Sequence, residues 1–257
     1  FDESLDGDTI KLIDESTITY DINIIADTNV TLDLNGHTLN INKTINNNGN
    51  LKIINSTSNE DSKIKSAFNI NLFTNNGTLE IDGVAINGYN AIVSSSSGTL
   101  KINNSTITSS NQAINNSGIL SVDSSNIIGT NYAFYNNSTV ANTISNSTLT
   151  SNSNAIYKNN SSETTIINTT IKGSVTNSKS AGILNITGGE TGNSMIGSMS
   201  NTGKVNIIDM TISYDSTSSD NEQTINNSGV LKIDDSVVKI TNKYTGTSEN
   251  SSRSIYN

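Results

Sequence analysis

The chain has 257 residues, of which 32% are hydrophobic and 14% charged, with a formal net charge of −9 and no cysteine, proline or tryptophan. The lack of cysteine excludes disulfide bonds and thiolate metal sites, and the scattered lysines form no basic stripe of the kind that nucleic acids require. We therefore predict no nucleic-acid partner. There is also no apolar run long enough for a membrane span, so we predict no membrane insertion. The length fits a single β domain over residues 1–257.

A triplet of an apolar residue, any residue and a second apolar residue recurs along the chain. We call the second apolar residue the anchor, and consecutive anchors are separated by 19 to 28 residues. The anchors are Leu12, Leu34, Ile53, Ile81, Ile102, Val122, Ile144, Ile166, Ile186, Ile207 and Ile233. A near-constant period of about twenty residues is typical of solenoids, in which each repeat packs against its neighbours.

Each repeat contains further short apolar segments. Another apolar residue, such as Ile107 or Leu149, usually follows the anchor by five positions, and the central repeats add a third segment such as Ala133-Phe134. Alternation of apolar and polar residues indicates strands, and the Asn, Ser, Asp and Gly residues between them indicate turns. We therefore predict an all-β fold, a right-handed single-stranded parallel β-helix (β-solenoid) of about eleven coils of 19–28 residues, with three parallel sheets.

A glycine lies four residues before most anchors. The glycines of this column are Gly49, Gly77, Gly98, Gly118, Gly182, Gly203 and Gly229. Because glycine adopts positive φ at little cost, we interpret the column as a corner with a left-handed backbone. Val140 and Ser162 stand in place of the glycine in two consecutive coils, which predicts a different corner there.

The sequence offers few residues for catalysis. Its one histidine, His37, and its one arginine, Arg253, lie in coils near opposite ends of the predicted rod. A glycoside hydrolase needs two carboxyl groups a few ångström apart, and Asp234-Asp235 is the only adjacent aspartate pair. We predict that the protein is not an enzyme and needs no cofactor or metal, and we keep a polysaccharide lyase or hydrolase as an alternative.

Aromatic residues are few, so their positions carry information. Tyr135 and Tyr157 occupy the same place in consecutive coils, Tyr132 is close to the first, and Lys158 follows the second. If the rings point outward they stack one above the other, beside Asn-rich turns that suit a sugar ligand. Tyr132, Tyr135, Tyr157 and Lys158 are therefore candidate ligand-binding residues, and a ladder that only stabilises the rod is the alternative.

Two coils are longer than the others, around SNEDSKIKS and around DSTSSDNEQ. Insertions in solenoids often map to the binding face, so we add Asp215, Asp220 and Glu222 of the second insertion to the candidate ligand-binding residues. These acids could hold a calcium ion loosely, but we favour a solvated loop and predict no metal site.

The segments TNVTLDLNGHTLNI at 28–41 and NNNGNLKIINSTSNEDSKI at 46–64 resemble the opening coils of right-handed β-helix domains in large surface proteins of low-GC Gram-positive bacteria. The later NNGTLEIDGVAI and SGTLKINNSTI coils are similar to the same pectate-lyase-like superfamily. The resemblance implies an extracellular adhesin-like domain, secreted or attached to the cell wall as part of a longer protein, that binds carbohydrate or a host or matrix polymer. It provides no catalytic residue. A purely structural spacer is the remaining alternative.

Overall fold

The computed structural model describes residues 6–57, 62–189, 193–216, 225–242 and 255–256, and every regular element in them is a β-strand. The strands of the first half are β1 (Asp8–Lys11), β2 (Ser16–Ile18), β3 (Ile22–Ile24), β4 (Asn29–Asp33), β5 (Leu39–Ile41), β6 (Ile45–Asn47), β7 (Asn50–Ile54), β8 (Lys63–Lys65), β9 (Asn71–Asn75), β10 (Thr78–Asp82), β11 (Ala85–Ser94), β12 (Thr99–Asn103), β13 (Thr106–Asn116) and β14 (Ile119–Asp123). Those of the second half are β15 (Asn126–Gly129), β16 (Tyr132–Asn136), β17 (Asn142–Ser145), β18 (Thr148–Lys158), β19 (Glu163–Ile167), β20 (Thr170–Asn177), β21 (Ile183–Thr187), β22 (Ser194–Ile196), β23 (Met199–Asn201), β24 (Lys204–Ile208), β25 (Thr211–Ser216), β26 (Ile225–Asn227), β27 (Val230–Asp234), β28 (Val237–Asn242) and β29 (Ile255–Tyr256).

The strands stack in parallel as the coils of a β-solenoid, which confirms the predicted fold class. The first rank is one parallel sheet of eleven strands, in the order β1-β4-β7-β10-β12-β14-β17-β19-β21-β24-β27. The second rank runs from β2 to β28 and the third from β3 to β29. In four coils the second and third ranks are joined in one long strand each, β11, β13, β18 and β20, with register irregularities where the chain bends.

The first-rank register confirms the anchors from Ile53 onward and corrects the two before it. Ile53 pairs with Leu32, and Leu32 pairs with Ile10, so the anchors of the first two coils lie two residues earlier than predicted. Leu12 and Leu34 are still buried, but they fill the turn after the strand. In these two coils apolar and polar residues alternate, so the sequence fits either of two registers that differ by two residues. Only the pairing with the next coil distinguishes the two.

Most inward positions of the three ranks are apolar and form one continuous core. Leucine, isoleucine and valine repeat at the same place in successive coils, and most are completely buried. Because each coil covers the apolar face of the next, burial stabilises the stack and not a coil alone.

The glycine corner has a different cause from the one predicted. None of the seven corner glycines is among the described residues with positive φ. A Cβ at Gly118 would instead collide with the carbonyl oxygen of Gly98 in the preceding coil, and the same conflict recurs at Gly77 and Gly229. Five of the seven glycine carbonyls accept a backbone hydrogen bond from the next coil, as in Ile119 N to Gly98 O at 2.9 Å, and these bonds hold the corner backbones close together. Glycine is therefore required by close approach between backbones.

Positive φ occurs at another corner, two residues after the anchor. The residues there are Gly83, Asn104, Ser124, Asn146, Asn168, Asp209 and Asp235. Asparagine and aspartate tolerate this region because their short side chains form local hydrogen bonds. These side chains also bond between coils, since Asn168 Nδ2 donates to Asn146 Oδ1 of the preceding coil at 2.8 Å.

A ladder of buried polar residues, which we call the inner ladder, lines the end of the third rank. Its members in successive coils are Asn47, Asn75, Ser94, Asn116, Asn136, Lys158, Asn177, Asn201 and Asn227. Where consecutive members are asparagines, the amide of one can donate to the oxygen of the next, as in Asn201 Nδ2 to Asn227 Oδ1 at 2.7 Å. The same amide also donates to the corner backbone at Gly203 O, so the ladder ties the corner to the sheet.

We expect the Asn201→Ala substitution to lower the free energy of unfolding by about 2 kcal/mol, because buried donors and acceptors lose their partners. Gly203 N and Asn177 Nδ2 both donate to Asn201 Oδ1. The control is Asn206→Ala, which removes an outward amide that donates to Asn185 Oδ1 at 2.7 Å and whose partner can turn to water. Chemical denaturation followed by circular dichroism compares the two variants, and equal losses would contradict the role of the inner ladder.

Candidate functional site

Three tyrosines of two consecutive coils meet on the outward side of the third rank. The rings of Tyr135 and Tyr157 are parallel, with an interplanar angle of 2° and centroids 5.1 Å apart. The ring of Tyr132 stands edge-on to both, at 5.2 Å from Tyr135 and 5.6 Å from Tyr157. The predicted stack is therefore present, and we call the three residues the tyrosine cluster.

The strand register places these side chains outward. Tyr135 pairs with Tyr157 across β16 and β18, while their neighbours Phe134 and Ile156 pair with each other inside the core. Because side chains alternate along a strand, Tyr135 and Tyr157 face outward when Phe134 and Ile156 point into the core. The stack thus follows from two coils that have the same sequence pattern at the same register.

The cluster is partly exposed and presents ring edges and phenol groups. All three tyrosines are half-buried, since parallel stacking covers part of one face of Tyr135 and of Tyr157. Within the described part of the chain, no protein group is hydrogen-bonded to the three hydroxyls. Phenol groups of this kind can donate to and accept from a ligand, and the ring edges add apolar contact area.

Amides and hydroxyls surround the cluster. Tyr132 pairs with Gln112 on the preceding coil and with Asn154 on the following coil. Tyr157 pairs with Thr176, whose hydroxyl donates to Asn154 Oδ1 at 2.8 Å. These side chains are part of outward ladders that run along the rod and hold the surface in a regular array.

Lys158, predicted to lie beside the tyrosines as a ligand contact, points to the interior and is completely buried. It takes the place of asparagine in the inner ladder, and its Nζ donates to Asn160 O at 2.9 Å and Asn160 Oδ1 at 2.7 Å. Burial lowers the pKa of Lys158 from 10.5 to about 8. The prediction that Lys158 contacts a ligand is therefore wrong, because alternation from the outward Tyr157 directs the next side chain inward.

A buried polar cluster lies behind the tyrosines, in the same two coils, and our sequence analysis did not identify it. Its members are Asn136, Ser138, Asn142, Lys158, Asn160 and Thr164. Asn142 and Thr164 occupy the first-rank position that holds Leu120 in the coil before and Leu184 in the coil after. The signal in the sequence was the loss of both the leucine and the corner glycine in these coils.

The acids of the second insertion contribute no described site. Asp215 lies in β25 and pairs with Thr241 of β28, whereas Asp220 and Glu222 lie outside the described residues. Among the residues that the structure covers, no group of three histidine or acidic side chains is placed to hold a metal ion.

Two acidic residues of the first rank, Asp123 and Glu80, are bound to neighbouring side chains. Hydrogen bonds from the side chains of Ser145, Asn146 and Ser124 lower the pKa of Asp123. Lys52 Nζ lies 2.7 Å from Glu80 Oε1 across neighbouring coils. The hydrogen bonds to Asp123 come from turn residues of its own coil and the next, so the carboxylate caps the turn after β14.

Comparison of the chain with protein-family models, with curated proteins and with solved structures found no match. The described residues include no helix long and apolar enough to span a membrane. The class that the structure defines is the parallel β-solenoid, with the tyrosine cluster as its candidate binding surface.

Proposed function

We propose that the protein is a non-catalytic, extracellular, adhesin-like domain that binds carbohydrate or a host or matrix polymer through the tyrosine cluster. The observation that supports the proposal is the meeting of Tyr132, Tyr135 and Tyr157 on one outward surface. The sequence resemblance to β-helix domains of Gram-positive surface proteins is consistent with this role. It also suggests the location, at the cell wall or in the medium.

The chemistry of the cluster suits a sugar ligand. Ring edges and exposed parts of ring faces can pack against C–H groups of a pyranose, and the three phenol groups can hydrogen-bond its hydroxyls. Regular spacing matters as well, because the neighbouring amides repeat once per coil. A polymer can therefore meet the same polar pattern several times along the rod, which favours avidity from weak single contacts.

A structural spacer is the second candidate, and one specific observation favours it. Parallel stacking of Tyr135 on Tyr157 contributes to stability by itself, at about 1 kcal/mol for an aromatic pair. Ladders of amides along the whole rod have the same stabilising effect. A rod that only holds another domain away from a surface requires these ladders and no binding site.

The Tyr135→Ala/Tyr157→Ala double variant separates the two candidates. We expect it to lose at least tenfold in affinity for the glycans that the wild-type domain binds, because the contact area of two rings is removed. The control is Tyr20→Ala, which removes a 52% exposed tyrosine from the first coil. A glycan array identifies the ligands and calorimetry measures affinity. Lack of binding by the wild-type domain to any glycan or matrix protein favours the spacer.

A further inference from the structure

We infer that the tyrosine cluster selects uncharged glycans over acidic or basic ones. This inference rests on the proposed function and adds the chemical class of the ligand. It follows from the charges of the surface around the cluster and from the inward position of Lys158.

The outward positions of the third rank are uncharged over eight consecutive coils. In chain order they are Asn71 and Thr74, Asn90 and Val93, Gln112 and Asn115, Tyr132 and Tyr135, Asn154 and Tyr157, Ser174 and Thr176, Ser200, and Asn226. Elsewhere on the rod charged residues do stand at outward positions, as Lys52 and Glu80 do in the first rank. The third rank therefore differs from the first in the chemistry of its surface.

The cation that adjoins the cluster in sequence does not reach its surface. Lys158 is completely buried, and its Nζ is held by Asn160 inside the rod. The next cations along the chain are Lys172 and Lys179, both exposed, in the second-rank part of β20 and in the turn after β20. Neither occupies an outward position of the third rank, so a carboxylate or sulfate seated on the cluster meets no opposite charge there.

Electrostatics disfavour both kinds of charged ligand at this surface. An anion must give up part of its hydration without a compensating ion pair, and the net charge of −9 repels polyanions as they approach. The same net charge attracts a basic glycan at long range, but the glycan meets no carboxylate at these positions and loses hydration there without gaining an ion pair. A neutral glycan has hydroxyl or acetamido groups that match the phenol and amide groups of the surface.

The side chains beside the rings are held in place to receive such a ligand. Asn115 Nδ2 donates to Gln112 Oε1 at 3.0 Å, and the Thr176 hydroxyl donates to Asn154 Oδ1 at 2.8 Å. Each of these four groups keeps further hydrogen-bonding capacity beyond these bonds. Because they are already ordered, binding costs less side-chain entropy than it does on a mobile surface.

The test compares the affinity of the domain for glycans that share a backbone and differ in charge. Suitable probes are homogalacturonan in methyl-esterified and de-esterified forms, cellulose and carboxymethylcellulose, and chitin and chitosan oligosaccharides. In whichever of these pairs the domain binds, we expect the neutral glycan to bind at least tenfold more tightly than its charged counterpart. Its affinity should not change between about 50 and 500 mM salt, because screening over this range weakens only ionic contacts. Tyr135→Ala/Tyr157→Ala should abolish this binding, and Lys172→Ala/Lys179→Ala should leave it unchanged.

The outcomes separate this inference from the proposed function. Tighter binding of an acidic or basic member, or loss of binding in Lys172→Ala/Lys179→Ala, overturns the selectivity for uncharged glycans and leaves a glycan-binding domain. Binding that survives in the double tyrosine variant overturns the assignment of the cluster as the site. No binding to any probe or to a broad glycan array overturns both proposals.

Discussion

The Gly118→Ala substitution should lower the free energy of unfolding by about 3 kcal/mol, near the upper end of the cost of overpacking. The added Cβ would meet the carbonyl oxygens of Gly98 and Ser95, and it would lie 3.0 Å from the carbonyl carbon of Gly98. Neither backbone can move away freely, because Gly98 O accepts the hydrogen bond from Ile119 N and Gly98 N donates to Ser95 O. The measurement is the free energy of unfolding from chemical denaturation.

The matched control is Gly83→Asn, at the other corner of the coil. Gly83 has φ of 66° and nothing within 4 Å of its missing Cβ, and the next coil already carries asparagine at this position, Asn104, with φ of 49°. We expect a change below about 1 kcal/mol, because asparagine tolerates the left-handed region. If Gly83→Asn were as damaging as Gly118→Ala, the close-approach explanation for the glycine column would be wrong.

Replacement of Lys158 by asparagine should stabilise the protein at pH 7, because removal of the buried charge contributes up to roughly 3 kcal/mol and loss of the Nζ hydrogen bonds to Asn160 offsets only part of it. The lysine ammonium is buried without a carboxylate partner, and its pKa falls from 10.5 to about 8. An asparagine at position 158 would also restore the inner ladder. Asn177 Oδ1 has no hydrogen-bond partner, whereas Asn201 Oδ1 in the next coil accepts from the amide of Asn177. The new amide at position 158 is placed to donate to Asn177 Oδ1 in the same way.

The pH dependence provides an independent check. The folded protein binds the Lys158 proton less tightly than the unfolded chain does, so the wild-type protein gains stability as the pH rises from about 8 towards 10.5. The advantage of Lys158→Asn should be full below pH 8 and shrink towards pH 10.5. Lys172→Asn, at an exposed position, is the control and should show no such trend. An advantage that does not vary with pH would show that charge burial is not the cause.

The coil architecture could be predicted from the sequence because burial in a solenoid is periodic. One inward side chain in each segment must match the coil above and below, so anchors such as Ile102 and Val122 recur at a near-constant spacing. The stack of Tyr135 on Tyr157 could be predicted for the same reason, since equal positions in consecutive coils lie one above the other. Features that repeat once per coil can therefore be recognised from the sequence alone.

Two features could not be predicted from the sequence. The conformation of the corner glycines depends on the distance between backbones of different coils, and a glycine column in the sequence fits both positive φ and close approach. The inward position of Lys158 runs against the general rule that charged residues are rarely buried without a partner. The contrary signals were its position directly after Tyr157 and its alignment with Asn136, and these outweigh the general preference of lysine for solvent.

The corner hydrogen bonds that join Gly98 to Ile119 recur between Gly203 and Val230 far along the rod, and the INNSG sequence at 114–118 recurs at 225–229. Ile114 and Ile225 are both inward residues of the third rank, so a genetic exchange between the two segments would delete five whole coils and rejoin equivalent positions. The shortened chain would keep its reading frame, its corner and its inner ladder at the junction. Recombination between such repeats can therefore change the length of the rod, because residues of equivalent register meet at the new interface between coils.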